Sequence, residues 1–387
     1  MERFALSRMK EWKETENRKP LIIRGARQVG KTWIMKTFGQ QYFEKTAYVN
    51  FDNNARMKQV FEGDLDIERL VLAISAETGV SIEAENTLII FDEIQEVPKA
   101  LTSLKYFHEN APQYAIVAAG SLLGVALHQG TSFPVGKVDF LDLYPLNFRE
   151  FLCAMGEKQF VSMLDSCDTQ MVTVFKTKYI ERLREYYFVG GMPEVVKDFS
   201  EKKDYNRVRV IQKNLINYYQ QDFSKHAEIK LVPRLNLVWN SIPMQLAKEN
   251  KKYIYGQVRE GSRAKDFELA IQWLLDCGLI HKVQRIQKPD LPLKAYIDFD
   301  AFKLFLVDIG LLIAMTDLDA KVIIEGNKIF TEFKGALTEQ YILQQLISDV
   351  GVIPYYYSTQ NSKGEIDFLV QGKTSVIPIE VKAEENL

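Results

Sequence analysis

Leu21-Ile22-Ile23-Arg24-Gly25-Ala26-Arg27-Gln28-Val29-Gly30-Lys31-Thr32-Trp33 decides how this chain is read. Leu21 to Ile23 open the stretch as a short apolar strand, and a helical segment, Trp33 to Phe38, follows. Between them Gly25 to Thr32 has the spacing G-x-x-x-x-G-K-[ST], in the strand–loop–helix setting that the pattern requires. Each residue type has a physical reason. Gly25 and Gly30 allow a tight backbone turn, so that the amides of Ala26, Arg27, Gln28 and Val29 converge on an anion. The helix starting near Lys31 aims its positive end at the same place. Lys31 reaches β- and γ-phosphate oxygens and the Thr32 hydroxyl ligates magnesium, so the stretch predicts a site for ATP with Mg2+.

Downstream, apolar runs alternate with helical segments. Ala47 to Phe51, Leu88 to Phe91, Tyr114 to Ala118 and Val138 to Leu141 read as further strands of a parallel sheet covered by helices on both faces, an α/β P-loop NTPase core. The run Leu88-Ile89-Ile90-Phe91 ends in Asp92-Glu93. At a strand's C-terminal end Asp92 is placed to hold magnesium and Glu93 to orient an attacking water. Glu93 separates hydrolysis from mere binding. A neighbouring run ends in Ala119-Gly120-Ser121, where Ser121 either senses the γ-phosphate or caps a helix from Leu122 onwards. Arg24, Arg27 and Arg149 are candidates for an arginine finger, and the sequence does not choose among them. No N-K-x-D run specifies guanine.

Bulk properties narrow the classes. The chain has 387 residues, 47% hydrophobic and 26% charged, enough for two or three globular domains. A net charge of -2 argues against a broadly basic nucleic-acid binder. Cys153, Cys167 and Cys277 are too scattered for a disulfide framework or zinc site, which fits a reducing compartment. The N-terminal residues lack a signal-peptide core, and Ala115 to Leu127 is too short and broken to span a bilayer. A soluble cytoplasmic protein without a membrane partner is expected.

From about Phe148 to Leu231 the pattern is helical, broken at Gly190-Gly191-Met192-Pro193. Phe267, Ala270, Ile271, Leu274 and Leu275 recur at helical spacing, and Gly278 stops that helix. Leu279 to Ile286, a turn around Pro289 to Pro292, and Ala295 to Phe299 complete a helix–strand–turn–strand pattern compatible with a winged helix. Lys248 to Lys294 holds ten Lys or Arg against six Asp or Glu, a net of +4, equally compatible with phosphate contacts and with solvated surface. The organisation expected is 1–150 ATPase core, 151–230 helical region, 231–318 winged-helix-like region and 319–387 tail.

With these residues in view, the chain resembles the prokaryotic AAA-type ATPases that carry a C-terminal DUF4143 domain. The resemblance rests on Arg24 to Thr32, Phe91 to Gln95 and Ala119 to Ser121. It extends to Tyr144-Pro145-Leu146-Asn147-Phe148-Arg149-Glu150-Phe151, Phe188 to Glu194 and Tyr219 to Lys225. It implies an ASCE-type P-loop ATPase core followed by a helical and winged-helix region. Such proteins usually continue past their Glu-Val-Lys strand with another helix and strand, so a chain stopping at Leu387 is expected to carry a truncated tail.

In that tail, Gly364 to Leu369 and Ile377 to Lys382 are similar to the PD-(D/E)XK nuclease motif. Asp367 and Glu380 are expected to face one metal site from neighbouring strands, with Glu380 and Lys382 on one strand face. Glu339 sits at the centre of an apolar stripe of Ile342, Leu343, Leu346, Ile347 and Val350 on a helix, Glu332 to Asp349. A carboxylate there is costly unless paired or functional, and the structural alternative pairs it with Lys382 in a dead nuclease fold that docks a partner. Three functions follow: an ATPase whose nucleotide state moves its C-terminal domain in a regulatory or DNA-related role, an ATP-dependent nuclease using Glu339, Asp367, Glu380 and Lys382, or a nucleotide-bound adaptor without hydrolysis. A DNA or protein partner and oligomeric assembly remain open.

Overall fold

A computed structural model describes residues 1–121, 124, 133–248, 251–325, 331–359 and 364–383. The chain forms two compact units, Arg3–Tyr144 and Pro145–Leu387 together with Met1–Glu2.

The first unit is built on a five-stranded parallel sheet. Its strands are β1 (Leu21–Arg24), β2 (Lys45–Asn50), β3 (Thr87–Asp92), β4 (Ala115–Ala119) and β5 (Asp139–Asp142), in the spatial order β2-β3-β4-β1-β5. All four pairings are parallel. Every residue of β3 and β4 is buried, which is why these runs are continuously apolar rather than alternating. β4 lies between β1 and β3, so the loops leaving all three strands open on one edge of the sheet. Beneath that edge Phe51, Phe61 and Phe91 pack edge-to-face with centroids 5.4 to 5.7 Å apart. Such pairs add about 1 kcal/mol each to the burial of their rings.

The second unit begins with helices Phe148–Ala154, Lys158–Asp165, Thr169–Val174, Lys176–Val189, Pro193–Lys202 and Tyr205–His226. Helices Val232–Leu246, Tyr255–Val258 and Ala264–Asp276 follow. Its sheet contains β6 (Ile280–Ile286), β7 (Ile297–Leu306), β8 (Tyr355–Ser358), β9 (Glu365–Gln371) and β10 (Val376–Ile379), ordered β10-β9-β8-β6-β7. β6 pairs antiparallel with β7 and parallel with β8. The strands read as a wing therefore continue into the strands of the tail, and one sheet crosses the boundary drawn between residues 318 and 319.

Two motifs singled out in sequence meet in this unit's polar core. The Leu146 amide donates to Gly191 O (2.7 Å), and the Tyr186 hydroxyl donates to Leu146 O (2.6 Å). Asp308 Oδ2 accepts from the Gly191 amide at 2.6 Å. A Cβ on Gly191 would stand 2.1 Å from Leu146 O, and one on Gly190 (φ +74°) 2.2 Å from Asp308 Oδ1. Only glycine fits where these backbones cross. Asn147 and Glu150 form a capping box on the first helix, and Phe148 N donates to Gln345 Oε1 at 2.8 Å.

The helix carrying Glu339 runs Thr331–Gln345, and a π-helical turn follows at Leu346–Val350. Its buried face differs from the anticipated stripe. Leu337, Glu339, Gln340, Leu343 and Gln344 are buried, whereas Val350 is exposed. Gln340 belongs inside because its amide group both donates to and accepts from the backbone of Leu306. Among the described residues no helix is long and apolar enough to cross a membrane. The three cysteines form no disulfide.

Candidate functional site

The loop between β1 and the helix Lys31–Tyr42 holds three residues at positive φ: Gly25 (+145°), Gln28 (+66°) and Gly30 (+94°). Gly25 is irreplaceable on steric grounds, because an added Cβ would lie 2.1 Å from Leu143 O. Gly30 is the helix N-cap and brings no capping side chain, which leaves the positive end of the helix open to an anion. Lys31 is buried and curls back over the loop, its ammonium donating to Gly25 O (2.9 Å) and Ala26 O (2.8 Å). Arg3, also buried, braces the loop by donating to Val29 O (3.1 Å) and Tyr144 O (2.6 Å).

The carboxylates predicted from β3 arrive beside this loop. The Thr32 hydroxyl donates to Asp92 Oδ2 at 2.7 Å, so β1 and β3 bring together the two residues expected to share a magnesium ion. The Tyr48 hydroxyl donates to the same oxygen at 2.9 Å. Burial raises the Tyr48 pKa first, and the Asp92 charge adds to it, which keeps the phenol a donor. Tyr48 was not anticipated. Its signal was a polar-tipped aromatic in the strand preceding Asp92, which alternation alone reads as core.

Glu93 follows Asp92 with φ +51° and ψ +44°, a left-handed conformation that costs a non-glycine residue about 1–2 kcal/mol. Strain of that size persists where surrounding contacts enforce it. Here Glu93 Oε2 accepts from Gln95 Nε2 (2.7 Å), and Oε1 accepts from the Ser121 hydroxyl (3.0 Å). Burial pushes the Glu93 carboxyl up, but Gln95, Ser121 and the Lys31 charge outweigh it and hold the group below its ordinary value. Ser121 thus reaches the same edge as Asp92 and Glu93. The helix it was also read as capping starts at Leu122, outside the described residues.

The arginines separate. Arg24 forms a two-pronged pair with Asp142 across β1 and β5 (2.8 and 2.9 Å) and lies 4.3 Å from the Phe140 ring centroid. Arg149 belongs to the second unit and pairs there with Asp165 and Asp349.

The nuclease-like constellation is not assembled as expected. β10 ends at Ile379, so Glu380 and Lys382 lie beyond the strand and its alternation does not govern them. They form an exposed pair, Lys382 Nζ to Glu380 Oε1 at 2.6 Å. Glu339 is not paired with Lys382: it pairs with Lys251 and with Lys303, the latter at 3.3 Å. Asp367 Oδ2 accepts from the Val381 amide at 2.7 Å. Among the described residues no three His, Cys, Asp or Glu side chains are grouped to hold a metal.

The first unit's strand order, its anion-binding loop and the carboxylates beside it define a P-loop nucleotide-binding fold. An AAA domain family model matches residues 17–152, one for a domain of unknown function, DUF8612, matches 180–322, and one for DUF4143 matches 334–387. The chain thus carries an AAA-type P-loop domain and a C-terminal DUF4143 domain, the combination its motifs resemble. No curated protein matches the sequence. Among solved structures, the chain is similar to the Walker-type ATPase PABY2304 of Pyrococcus abyssi, with 15% identity, coverage of 81% of this chain and 95% of that one, and a TM-score of 0.50. The Orc1 protein of Aeropyrum pernix in complex with DNA matches with 13% identity over 81% of this chain and 91% of that one, at a TM-score of 0.30. Similarity of that degree does not extend to a shared partner.

Proposed function

We propose that the chain binds ATP with Mg2+ at Gly25 to Thr32 and hydrolyses it, and that the nucleotide state repositions the C-terminal domain in a regulatory role. The observation that carries this is the convergence of Thr32, Asp92, Glu93 and Ser121 at one sheet edge beside an open helix N-terminus. The donor set fits the ion: a hydroxyl and a carboxylate, both hard oxygen ligands, held 2.7 Å apart. Mg2+, when bound, neutralises charge on the phosphate oxygens and orients them.

The chain's own groups divide the remaining work. Lys31 exchanges the carbonyls of Gly25 and Ala26 for phosphate oxygens, and the loop amides enclose the rest. Glu93, anionic at neutral pH like any carboxylate and with its pKa lowered rather than raised by burial, accepts a hydrogen bond from the attacking water at one carboxylate oxygen. A carboxylate of low basicity orients and polarises water better than it removes a proton outright. Ser121 can trade its bond to Glu93 Oε1 for a γ-phosphate oxygen, which would release Glu93 toward the water once ATP is in place. Neither the nuclease nor the adaptor reading has an equal observation behind it: Glu339 and Glu365 of the tail are paired with lysines, and Glu93 is built into the site under strain.

Replacing Glu93 with Gln tests the reading. ATP binding is expected to persist while turnover falls by about 10²–10³-fold, the scale of losing a positioned polar group in catalysis. Equal turnover in the variant and the wild type would refute the role given to Glu93, and negligible turnover in both would leave the adaptor. Turnover measured with and without double-stranded DNA decides whether the role is DNA-related.

A further inference from the structure

Lys303 on β7 is wholly buried, and its ammonium lies among carboxylates from two other elements. Nζ stands 2.5 Å from Glu365 Oε1 on β9 and 3.3 Å from Glu339 Oε2, and lies 4.8 Å from the ring centroid of Tyr356 on β8. Lys251 pairs with the other oxygen of Glu339. Asp367, two residues beyond Glu365 and so on the same face of β9, adds its field to both Lys303 and Glu339. Three carboxylates and two ammonium groups leave the cluster one negative charge.

We infer that Lys303 and Lys251 stand in for the divalent cation that a nuclease-like tail would hold, so that this cluster is a charge lock and not a metal site. The reasoning is electrostatic. Carboxylates brought together around a buried position need positive charge between them, and either a metal or ammonium groups can supply it; here Glu339 and Lys303 are buried, and Glu365 and Asp367 half-buried. A hard divalent cation needs several oxygen ligands at short range, and here each carboxylate already has a protein partner: both oxygens of Glu339 face lysines, Glu365 Oε1 faces Lys303, and Asp367 Oδ2 accepts from the Val381 amide. An ammonium group neutralises charge but cannot activate a water molecule as a metal does. The other two residues of the expected motif, Glu380 and Lys382, pair with each other at the surface. What the lock does is tie β7, β9 and the helix Thr331–Gln345 together, joining segments far apart in sequence through buried charge.

The test uses the full chain carrying Asp92→Asn, which removes the ion ligand in the P-loop unit and so makes the outcome independent of the ATPase reading. Titration with Mn2+, followed by electron paramagnetic resonance and by thermal melting, is expected to show no saturable binding and no change in melting temperature. Adding Lys303→Met is expected to lower the melting temperature by about 10 °C, the scale of leaving the buried Glu339 without a counter-charge. Millimolar Mn2+ should then recover part of the loss. Lys251→Met, at the partly exposed end of the cluster, should give a smaller loss with the same recovery, and it decides the matter if Lys303→Met does not fold. Stoichiometric Mn2+ binding to the Asp92→Asn chain that disappears with Asp367→Asn overturns the inference. So does a Lys303→Met chain that melts like its parent.

Discussion

Tyr48 and Asp92 share a hydrogen bond of 2.9 Å, made to the carboxylate oxygen that also receives the Thr32 hydroxyl. Two donors on one oxygen fix the Asp92 rotamer before any ion arrives. Tyr48→Phe removes one donor and keeps the ring, over which the Lys36 ammonium sits 3.8 Å from the centroid. A hydrogen bond to a charged group contributes about 1.5 kcal/mol, so half-saturating Mg2+ for ATP turnover is expected to rise roughly tenfold. Thermal melting without nucleotide should change little. An unaltered Mg2+ titration would reduce Tyr48 to a packing residue.

Gly25 offers a sharper steric test. Gly25→Ala must resolve a 2.1 Å approach to Leu143 O at φ +145°, so the loop backbone has to move. ATP affinity should fall at least tenfold, as read by a fluorescent nucleotide analogue. Gly79→Ala is the comparison: its φ is +69°, with nothing within 4 Å of the new Cβ. It carries only the left-handed penalty, about 1–2 kcal/mol, and should bind ATP normally.

Lys31→Ala should abolish ATP binding, because no other side chain on the loop can bring an ammonium group to the phosphates. The same substitution leaves Gly25 O and Ala26 O without the donor they have in this structure. A small loss of stability without nucleotide is therefore expected, visible in melting curves.

Asp308 predicts a pH effect in the second unit. Burial raises its pKa from 3.8 to about 6, although the amides of Gly191, Leu311 and Gly310 and the Gln344 side chain work against the rise. A carboxylate with a raised folded pKa favours folding most below its unfolded value, and that contribution is lost as pH rises through about 6. A rise of that size corresponds to roughly 3 kcal/mol. Melting temperature across pH 4 to 8 should therefore fall with rising pH more steeply in the wild type than in Asp308→Asn. Parallel profiles would mean that Asp308 does not titrate there.

The first unit was legible because its information is local. A strand, a glycine loop, a lysine and a helix lie within about twenty residues, and each imposes a residue type that shows in the one-dimensional pattern. Asp92 and Glu93 were legible for the same reason, since a fully buried strand must end where carboxylates can be placed. Tyr48 and Gln95 were not, because what makes them site residues is the neighbour they touch.

The tail shows the limit more plainly. Its sequence suggested four residues around a metal, with Glu339 costly on an apolar helix stripe unless paired or functional, and the structure buries that carboxylate. What satisfies it is Lys303, 36 positions earlier in the chain, together with Lys251, 88 positions earlier. Spacing along a strand or helix can say which face a side chain takes. Which opposite charge it meets across a sheet is a long-range contact, and only the packing of β7, β9 and the helix Thr331–Gln345 determined it.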